Sequence, residues 1–447
     1  MSLVSENKRY AAIVALIMLS GVNGCADGNV DSQSSSAVKV EVVSSDNGYQ
    51  LVRGGEPYHI KGAGLEYGDI DSFAAHGGNS IRTWSTQDGD RTAQEVLDNA
   101  LENGVTVALC LRLGVEHWGF DYDDPEAVAV QLEEMRAEVL KYRDHPALLV
   151  WIIGNELNYD YTNAKVYDAV NDVSMMIHEL DPNHPTTTTI SGLKPDAVAD
   201  IYKRAPDVDF ISFQVYGSIT SLPEFVKRPG YEKPFFVTEW GAIGHWEVDK
   251  TRWGAPIEAT SSEKADTYLN GYRNKLEPLE GHLIGSYVFL WGQKQERTPT
   301  WYGVFTESGE ETETIDVMHY IWNGAWPENR SPRLESMTLD GKVAEQNVEL
   351  IAGQSYDANV KVSDPDDDFL RYHWEVKPES GATQGGGGFE ESIASLERLI
   401  SDDSAPEIQL VAPQEPGAYR LFVYAYDGHN HAAHANIPFL TAVVKDD

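Results

Sequence analysis

Short apolar runs alternate with amphipathic segments from Tyr58 to about Pro327. Several runs, such as LLVWII and PFFV, are continuously apolar, which is typical of parallel strands covered on both faces. Each run is followed by a stretch of helical periodicity, and this strand–helix order favours a parallel sheet. The eight predicted strands begin at Tyr58, Asn79, Val105, Ala147, Thr186, Val208, Pro234 and Leu283.

The helical segments carry start and stop signals. The segment from Arg91 ends at Gly104, a residue that suits a helix C-terminus. Asp124 followed by Pro125 predicts an N-cap and a first-turn proline. Eight strand–helix repeats over about 270 residues match a (β/α)8 barrel, which typically needs ~250 residues. The predicted fold class is α/β, with a (β/α)8 TIM barrel at residues 58–327.

Two further regions flank the predicted barrel. Residues 38–57 predict a β-hairpin that turns at Asp46-Asn47-Gly48 and caps the N-terminal end of the barrel. After the linker ENRSPR, residues 333–447 alternate in the manner of a β-sandwich. The segments SDPDDD and YAYDG resemble Ig-like modules of the PKD and cadherin-like kind, which implies an all-β Ig-like sandwich acting as a spacer or docking surface. The calcium candidates in this module are Asp364, Asp366, Asp367 and Asp368.

The N-terminus has the pattern of a targeting signal. Lys8 and Arg9 precede an apolar run at 11–19, which is too short for a permanent membrane helix. The small residues before Cys25 resemble the lipobox of bacterial lipoproteins. This resemblance implies a signal peptide at 1–24, lipidation of Cys25 and a flexible tether at 25–37. The protein is expected to be secreted and lipid-anchored in the bacterial cell envelope; the alternative is ordinary secretion with cleavage nearby.

Charge narrows the range of partners. The formal net charge is −37, from 71 acidic and 34 basic residues, which argues against nucleic acid as a partner. A polyanionic substrate is also disfavoured, unless the cleft is locally basic. The second cysteine, Cys110, lies in an apolar run, so no disulfide is expected once Cys25 is lipidated. No metal-binding or phosphate-binding motif occurs, so neither metal nor organic cofactor is implied, and the chain is expected to be a monomer.

Carboxylates stand at the ends of two predicted strands. The fourth strand ends in Gly154-Asn155-Glu156 and the seventh in Thr238-Glu239. On such a barrel the C-terminal strand ends carry function, and a carboxylate there is costly unless it is needed. Retaining glycosidases use two facing carboxyl groups, one as nucleophile and one as acid and base. The pair therefore predicts a retaining glycosidase.

Asn-Glu on the fourth strand with Glu on the seventh resembles glycoside hydrolase clan A, in particular families two and five. The resemblance covers residues 58–327. It implies that Glu156 is the acid/base, Glu239 the nucleophile and Asn155 a partner of the sugar 2-hydroxyl. It also implies roles for three further residues: Arg82 bonds the nucleophile, Tyr216 orients it, and Trp291 forms the aromatic floor of the sugar subsite. This chain lacks the domains that precede the barrel in most family two enzymes, which argues against an exo-acting galactosidase, mannosidase or glucuronidase.

Strand-end loops add substrate-binding candidates. Trp84 could stack on a sugar ring, and Gln293 lies in the polar segment after Trp291. The expected substrate is a neutral β-glycan, with β-1,3-glucan favoured because TEWG resembles the SEYG motif of fungal glucanosyltransferases. A transglycosylase using the same two glutamates is one alternative, and a non-catalytic glycan-binding lipoprotein is another. The sandwich is expected to be dispensable for chemistry. Softer cleft candidates are His117, Trp118, Trp246, Trp253, Lys294 and Arg297.

Overall fold

A computed structural model describes residues 36–231, 233–382 and 387–442. Within them, eight parallel strands close into a barrel, each paired with its neighbours in chain order. The predicted α/β barrel followed by a β-sandwich is confirmed. The strands are β1 (Gly62–Gly64), β2 (Ser80–Arg82), β3 (Thr106–Leu111), β4 (Leu148–Ile153), β5 (Thr186–Ser191), β6 (Phe210–Gln214), β7 (Phe235–Trp240) and β8 (Leu283–Val288).

One α-helix follows each barrel strand and covers its outer face. The Asp124 side chain caps its helix by accepting from the backbone N–H groups of Glu126 and Ala127. Thr260 forms a capping box with Glu263 at the start of its helix. The helices are α1 (Ile70–Ala75), α2 (Ala93–Glu102), α3 (Pro125–Tyr142), α4 (Val166–Leu180), α5 (Pro195–Arg204), α6 (Leu222–Phe225), α7 (Ser261–Gly271) and α8 (Glu313–Asn323).

A small antiparallel sheet closes the N-terminal end of the barrel. Its strands are Val40–Ser45, Gly48–Arg53 and Glu56–Pro57. The Tyr49 N–H donates to the Gly281 carbonyl at 2.5 Å, just before β8 begins. The Arg53 guanidinium donates to the carbonyl of Pro146, which precedes β4, at 2.8 Å. These contacts fix the sheet at the end of the barrel opposite to the C-terminal strand ends.

The C-terminal region is a two-sheet sandwich with its own hydrophobic core. One sheet has the order β9-β11-β13 and the other β10-β15-β14-β12. All strand pairs are antiparallel except β10 with β15. The strands are β9 (Arg333–Leu339), β10 (Val348–Ile351), β11 (Ser355–Ser363), β12 (Arg371–Pro378), β13 (Glu407–Val411), β14 (Gly417–Tyr426) and β15 (Ala432–Ala442).

Buried polar contacts join the sandwich to the barrel. Arg420 on β14 is only 1% exposed and donates to the Pro256 carbonyl of the barrel at 2.9 Å. Asn436 on β15 donates to Glu258 at 2.6 Å, and Glu258 also pairs with Lys264 on α7. Burying such charges is costly unless every one is paired. The sandwich is therefore seated on the barrel in one specific position.

Two sequence predictions concern the N-terminal region. The predicted signal peptide, Cys25 and nearly all of the tether lie outside the described residues. Across the ranges that are described, no helix combines the length and apolar character needed to cross a membrane.

Cys110 is a buried free thiol on β3, where burial raises its pKa to about 12.

Candidate active site

The end of β4 turns sharply to present Glu156. Gly154 has a φ of 72°, and a Cβ there would lie 2.5 Å from Leu157 Cδ1. Glu156 itself has a φ of 50°, a left-handed conformation that costs a non-glycine residue about 1–3 kcal/mol. Its N–H donates to Thr189 Oγ1 on β5 at 3.0 Å, which helps to hold this turn. The strained backbone aims the carboxyl group of Glu156 into the cleft above the barrel.

Glu239, at the end of β7, is the centre of the hydrogen-bond network. Its Oε1 accepts from Arg82 Nη1, from Trp84 Nε1 at 2.8 Å and from Gln214 Nε2 at 3.0 Å. Its Oε2 accepts only from the Tyr216 hydroxyl, at 2.7 Å. The carboxylate is 6% exposed and faces the cleft. Four donors in so small a space hold the carboxyl group in one orientation.

Asn155 is tied into the same network. Its Oδ1 accepts from Arg82 Nη2 at 2.7 Å and from Gln214 Nε2 at 2.8 Å. With the carbonyl oxygen so engaged, the side-chain amide of Asn155 can donate toward the cleft. Arg82 is completely buried on β2 and bridges the ends of β4 and β7. The structure thus brings together Arg82, Trp84, Asn155, Tyr216 and Glu239, as expected from the sequence.

Gln214, at the end of β6, was missed by the sequence reasoning. Its side-chain amide donates to both Asn155 and Glu239, so it fixes the positions of the two residues relative to each other. The available signal was an amide at the end of the apolar run VDFISF, where a polar side chain needs a partner.

The two glutamates differ in their electrostatics. Burial, and then the nearby charge of Glu239, raises the pKa of Glu156 to about 7, although Ser191 and Arg82 act in the opposite sense. Tyr216 has its pKa raised by burial and by the same Glu239 charge, so it remains a proton donor. One carboxyl group is thus ready to give a proton near neutral pH, beside another that is held by donors.

The structure corrects the assignment of Trp291. This side chain is 0% exposed and packs beneath the cleft against Phe73 and Trp322, with ring centroids 5.4 and 5.6 Å away. Phe289 lies at the end of β8 in its place, with ring centroids 5.7 Å from Trp84 and 5.9 Å from Tyr216. The expected aromatic wall exists, but Phe289 forms it.

Gln293 is a second correction. Its side-chain amide donates to the Pro299 carbonyl at 2.8 Å, within its own loop, and the residue does not line the cleft. The neighbouring Lys294 and Arg297 do line it. A self-contained loop bond explains the difference, because it turns the amide away from the substrate space.

The cleft is long and has aromatic residues along it. Its volume of about 1860 Å³ exceeds the ~300–1,000 Å³ of typical small-ligand pockets. Trp118 and Trp246 stand in its walls, 63% and 54% exposed, and Trp253 is half-buried. His117 instead lies beside Asp160, outside the lining. This shape suits an extended, ring-containing substrate.

Part of the cleft wall comes from the sandwich. Glu379, Ser380 and Phe389 line the same cleft as the two glutamates. Both glutamates nevertheless precede residue 300, so the expectation that the sandwich is dispensable for chemistry stays a prediction. The contribution of the sandwich to the wall was not predicted from the sequence, because it depends on contacts such as that of Lys294 with Gly387, almost a hundred residues apart.

A possible cation-binding group lies apart from the cleft. Carboxylate oxygens of Asp364, Asp368 and Asp427 lie within 4.8 Å of one another. Asp427 also accepts hydrogen bonds from Asn329 and from His431. Such acidic groups are common without an ion, and none of these three residues lines the cleft.

Comparisons with known proteins agree with this geometry. Residues 74–245, which include both glutamates, match the family described as glycosyl hydrolases family 2, TIM barrel domain. Mannan endo-1,4-beta-mannosidase F of Aspergillus clavatus is 26% identical over 175 residues, covering 33% of this chain and 40% of that protein. The protein of the same name from Aspergillus fumigatus is 28% identical over 148 residues, covering 27% and 33%. The chain thus spans well under half the length of these curated relatives.

One solved structure shares the fold. It is Bifidobacterium dentium beta-glucuronidase complexed with coumarin-3-O-glucuronide, with a TM-score of 0.50 and 18% sequence identity. The match covers 64% of this chain and 49% of that one. This likeness agrees with the closed ring of eight parallel strands. Strands β1 to β8 form a TIM barrel, and residues 74–245 within it are similar to the family 2 glycosyl hydrolase TIM-barrel domain.

Proposed function

We propose that this protein is a retaining β-glycoside hydrolase, with Glu239 as nucleophile and Glu156 as acid and base. The observation that carries the proposal is the contrast between the two carboxyl groups. Glu239 is surrounded by four donors, whereas burial and the Glu239 charge raise the pKa of Glu156 to about 7. A double-displacement mechanism needs one ionised and one protonated carboxyl group at the same pH.

The hydrogen bonds also distinguish the two oxygens of Glu239. Oε1 accepts from three donors, whereas Oε2 accepts from Tyr216 alone. Oε2 therefore keeps a lone pair for attack on the anomeric carbon. As that bond forms, the bond to the leaving oxygen breaks and Glu156 gives this oxygen its proton.

Water completes the reaction. Glu156, now ionised, takes a proton from a water molecule whose oxygen attacks the anomeric carbon. The bond to Glu239 breaks, the carboxylate is regenerated and Glu156 is protonated again. Two inversions at one carbon give net retention. Transfer to a sugar hydroxyl would follow the same steps, so product analysis distinguishes hydrolysis from transglycosylation.

The charges in the cleft favour a neutral glycan. Six Lys and Arg residues and seven Asp and Glu residues line it, so the cleft is not basic. Several of the acids bond within the wall: Glu66 accepts from the Trp84 and Ser85 N–H groups, and Glu296 pairs with Lys294. A strongly acidic polymer would meet little complementary charge here.

β-1,4-Mannan is the first substrate to test, because both curated relatives are named as mannan endo-1,4-beta-mannosidases. β-1,3-Glucan is the second, from the sequence prediction. The test is a screen on neutral and acidic β-glycans, with NMR following the anomeric configuration of the first product. Products that first appear in the β-configuration support the proposal. First-formed α-products, or no cleavage of any β-glycan, contradict it.

A further inference from the structure

One wall of the cleft is built from the sandwich rather than from the barrel. Glu379 and Ser380 follow strand β12, and Phe389 lies farther along the same connection. They stand in the cleft together with Lys294 and Arg297 of the barrel. The sandwich thus adds surface to the substrate space that the barrel strand ends do not provide.

Specific contacts hold this segment against the barrel. Lys294 Nζ donates to the Gly387 carbonyl at 3.0 Å, and the Arg297 N–H donates to Glu390 Oε2 at 2.9 Å. The Ser380 hydroxyl also contacts Glu390 Oε2, at 3.3 Å. These bonds flank Phe389 on both sides, so its position is set by the barrel loop after β8.

Arg420 fixes the base of the same wall. Its guanidinium donates to Glu379 Oε1 at 2.8 Å, to Asn436 Oδ1 at 2.7 Å and to the Pro256 carbonyl at 2.9 Å. Glu379 and Pro256 both line the cleft, one from each domain. A buried arginine that joins them keeps the two sides of the wall at a constant separation.

Phe389 projects from this wall into solvent. It is 83% exposed, so most of the ring surface is accessible to a ligand. Phe369 is 82% exposed, but it lies outside the cleft. Exposure alone therefore does not set Phe389 apart; its position in the wall of the cleft does.

A chain of contacts connects this ring with the reaction centre. The Phe289 ring lies near Tyr216, and Lys294 Nζ stands 5.8 Å from its centroid. The same ammonium group bonds the Gly387 carbonyl, two residues before Phe389. A sugar chain that runs from Phe289 past Lys294 would therefore meet the sandwich wall.

We infer that the sandwich supplies an outer glycan-binding subsite, in which the Phe389 ring stacks on a sugar unit remote from the bond that is cleaved. The inference rests on the proposed function, and it names a longer oligosaccharide as the preferred substrate class. Stacking covers apolar surface on both partners, and this burial is the source of the binding energy.

The test compares substrates of different length. Phe389→Ala should lower kcat/KM on a hexasaccharide by about tenfold, mainly through KM, because remote contacts act in the ground state as well. Activity on an aryl β-glycoside, which cannot reach the wall, should be unchanged. The series runs from disaccharide to hexasaccharide, for both β-1,4-mannan and β-1,3-glucan. Phe389→Trp should retain the preference for length.

Phe369→Ala is the matched control, because it removes an equally exposed ring from the same sandwich. This variant should leave kcat/KM unchanged on every substrate. Two results with an active parent protein would disprove the subsite: an equal loss of activity on short and long substrates in Phe389→Ala, or no loss on either. Both results would leave the proposed hydrolase function intact. If the parent protein cleaves no member of the series and no aryl glycoside, the proposed function fails, and the subsite with it.

Discussion

Two buried glutamates of this protein, Glu239 in the cleft and Glu258 at the junction with the sandwich, make an instructive pair. Each is 6% exposed, and each accepts hydrogen bonds from four side chains. The bonds to Glu239 are divided three and one between its oxygens. Those to Glu258 are divided two and two: Lys264 and Thr300 to Oε1, Thr298 and Asn436 to Oε2.

The distribution of donors separates the proposed nucleophile, Glu239, from the structural carboxylate of Glu258. Glu258 has no lone pair left for a substrate and faces packed protein. Burial opposes its ionisation, but Lys264, His434 and Arg420 together outweigh burial and lower the pKa of Glu258 to about 2. Glu239 keeps one oxygen with a single donor, and that oxygen faces a cleft with a second carboxyl group nearby. Burial and ion pairing alone therefore do not identify a nucleophile.

The largest loss of activity is expected from replacing Glu239, the proposed nucleophile. Glu239→Ala is expected to lower kcat by about 10⁴-fold or more, as loss of a nucleophile does in other enzymes. External azide should restore turnover of an activated glycoside and give a glycosyl azide of inverted configuration, identified by NMR. An azide product of unchanged configuration, or full activity in the variant, would remove Glu239 from the role of nucleophile.

Glu156→Gln tests the partner of Glu239. Turnover of natural glycans should fall by about 10²–10⁴-fold, while activated aryl glycosides, which need little proton donation, should lose less. In the parent protein, kcat/KM should fall as the pH rises through about 7, because Glu156 with its raised pKa then loses the proton that it must donate. The variant should lack this basic limb. A basic limb that persists would show that another group controls it.

Glu258→Gln should affect stability and leave the chemistry intact. Removing the charge leaves Lys264 buried without its counter-ion. The free energy of unfolding, measured by urea titration, should therefore fall by about 3–5 kcal/mol. The parent protein should lose stability as the pH falls from about 4.5 to about 2, because only the folded state keeps Glu258 ionised there. Glu258→Gln should not show this loss of stability on acidification.

Glu224→Gln is the control for this change, because Glu224 pairs with Lys227 on the surface and should leave the unfolding free energy unaltered. If Glu258→Gln lowered kcat at full stability, the distinction drawn between the two glutamates would be wrong.

Tyr216→Phe should cause the smallest loss of activity. It tests the oxygen by which Glu239 differs from Glu258. It removes the single donor to Glu239 Oε2, and a hydrogen bond to a charged group is worth about 1.5–3 kcal/mol, or roughly a 10- to 100-fold loss of kcat/KM. The fold should be unaffected, as judged by urea titration. An unchanged kcat/KM would mean that this oxygen does not depend on its only donor.

The sequence predicted the parts of the site that strand patterns determine. Apolar runs ending in Asn-Glu and Thr-Glu placed Glu156 and Glu239 at the ends of β4 and β7, and the clan A resemblance supplied Arg82 and Tyr216. The end of β8 was assigned wrongly because residues 287, 289 and 291 are all aromatic and occupy alternate positions. Strand alternation alone does not show which of them lines the cleft.

Other features depend on contacts between distant segments of the chain. Gln214 is an ordinary strand-end amide until β4, β6 and β7 are brought together. The sandwich wall depends on Arg420 reaching Pro256, a contact between segments more than a hundred residues apart. Hydrophobic periodicity describes which face of an element is buried, but not which distant loop lies against it.

The small sheet under the barrel has a consequence for how the protein can be displayed. It bonds the loops that enter β4 and β8, so the chain arrives at the end of the barrel away from the cleft. A bead, chip or fusion partner joined directly at residue 36 would therefore be attached on the far side of the barrel from the mouth of the cleft. Immobilised there, the protein would keep this mouth turned toward the bulk phase, where a long insoluble polymer can approach it.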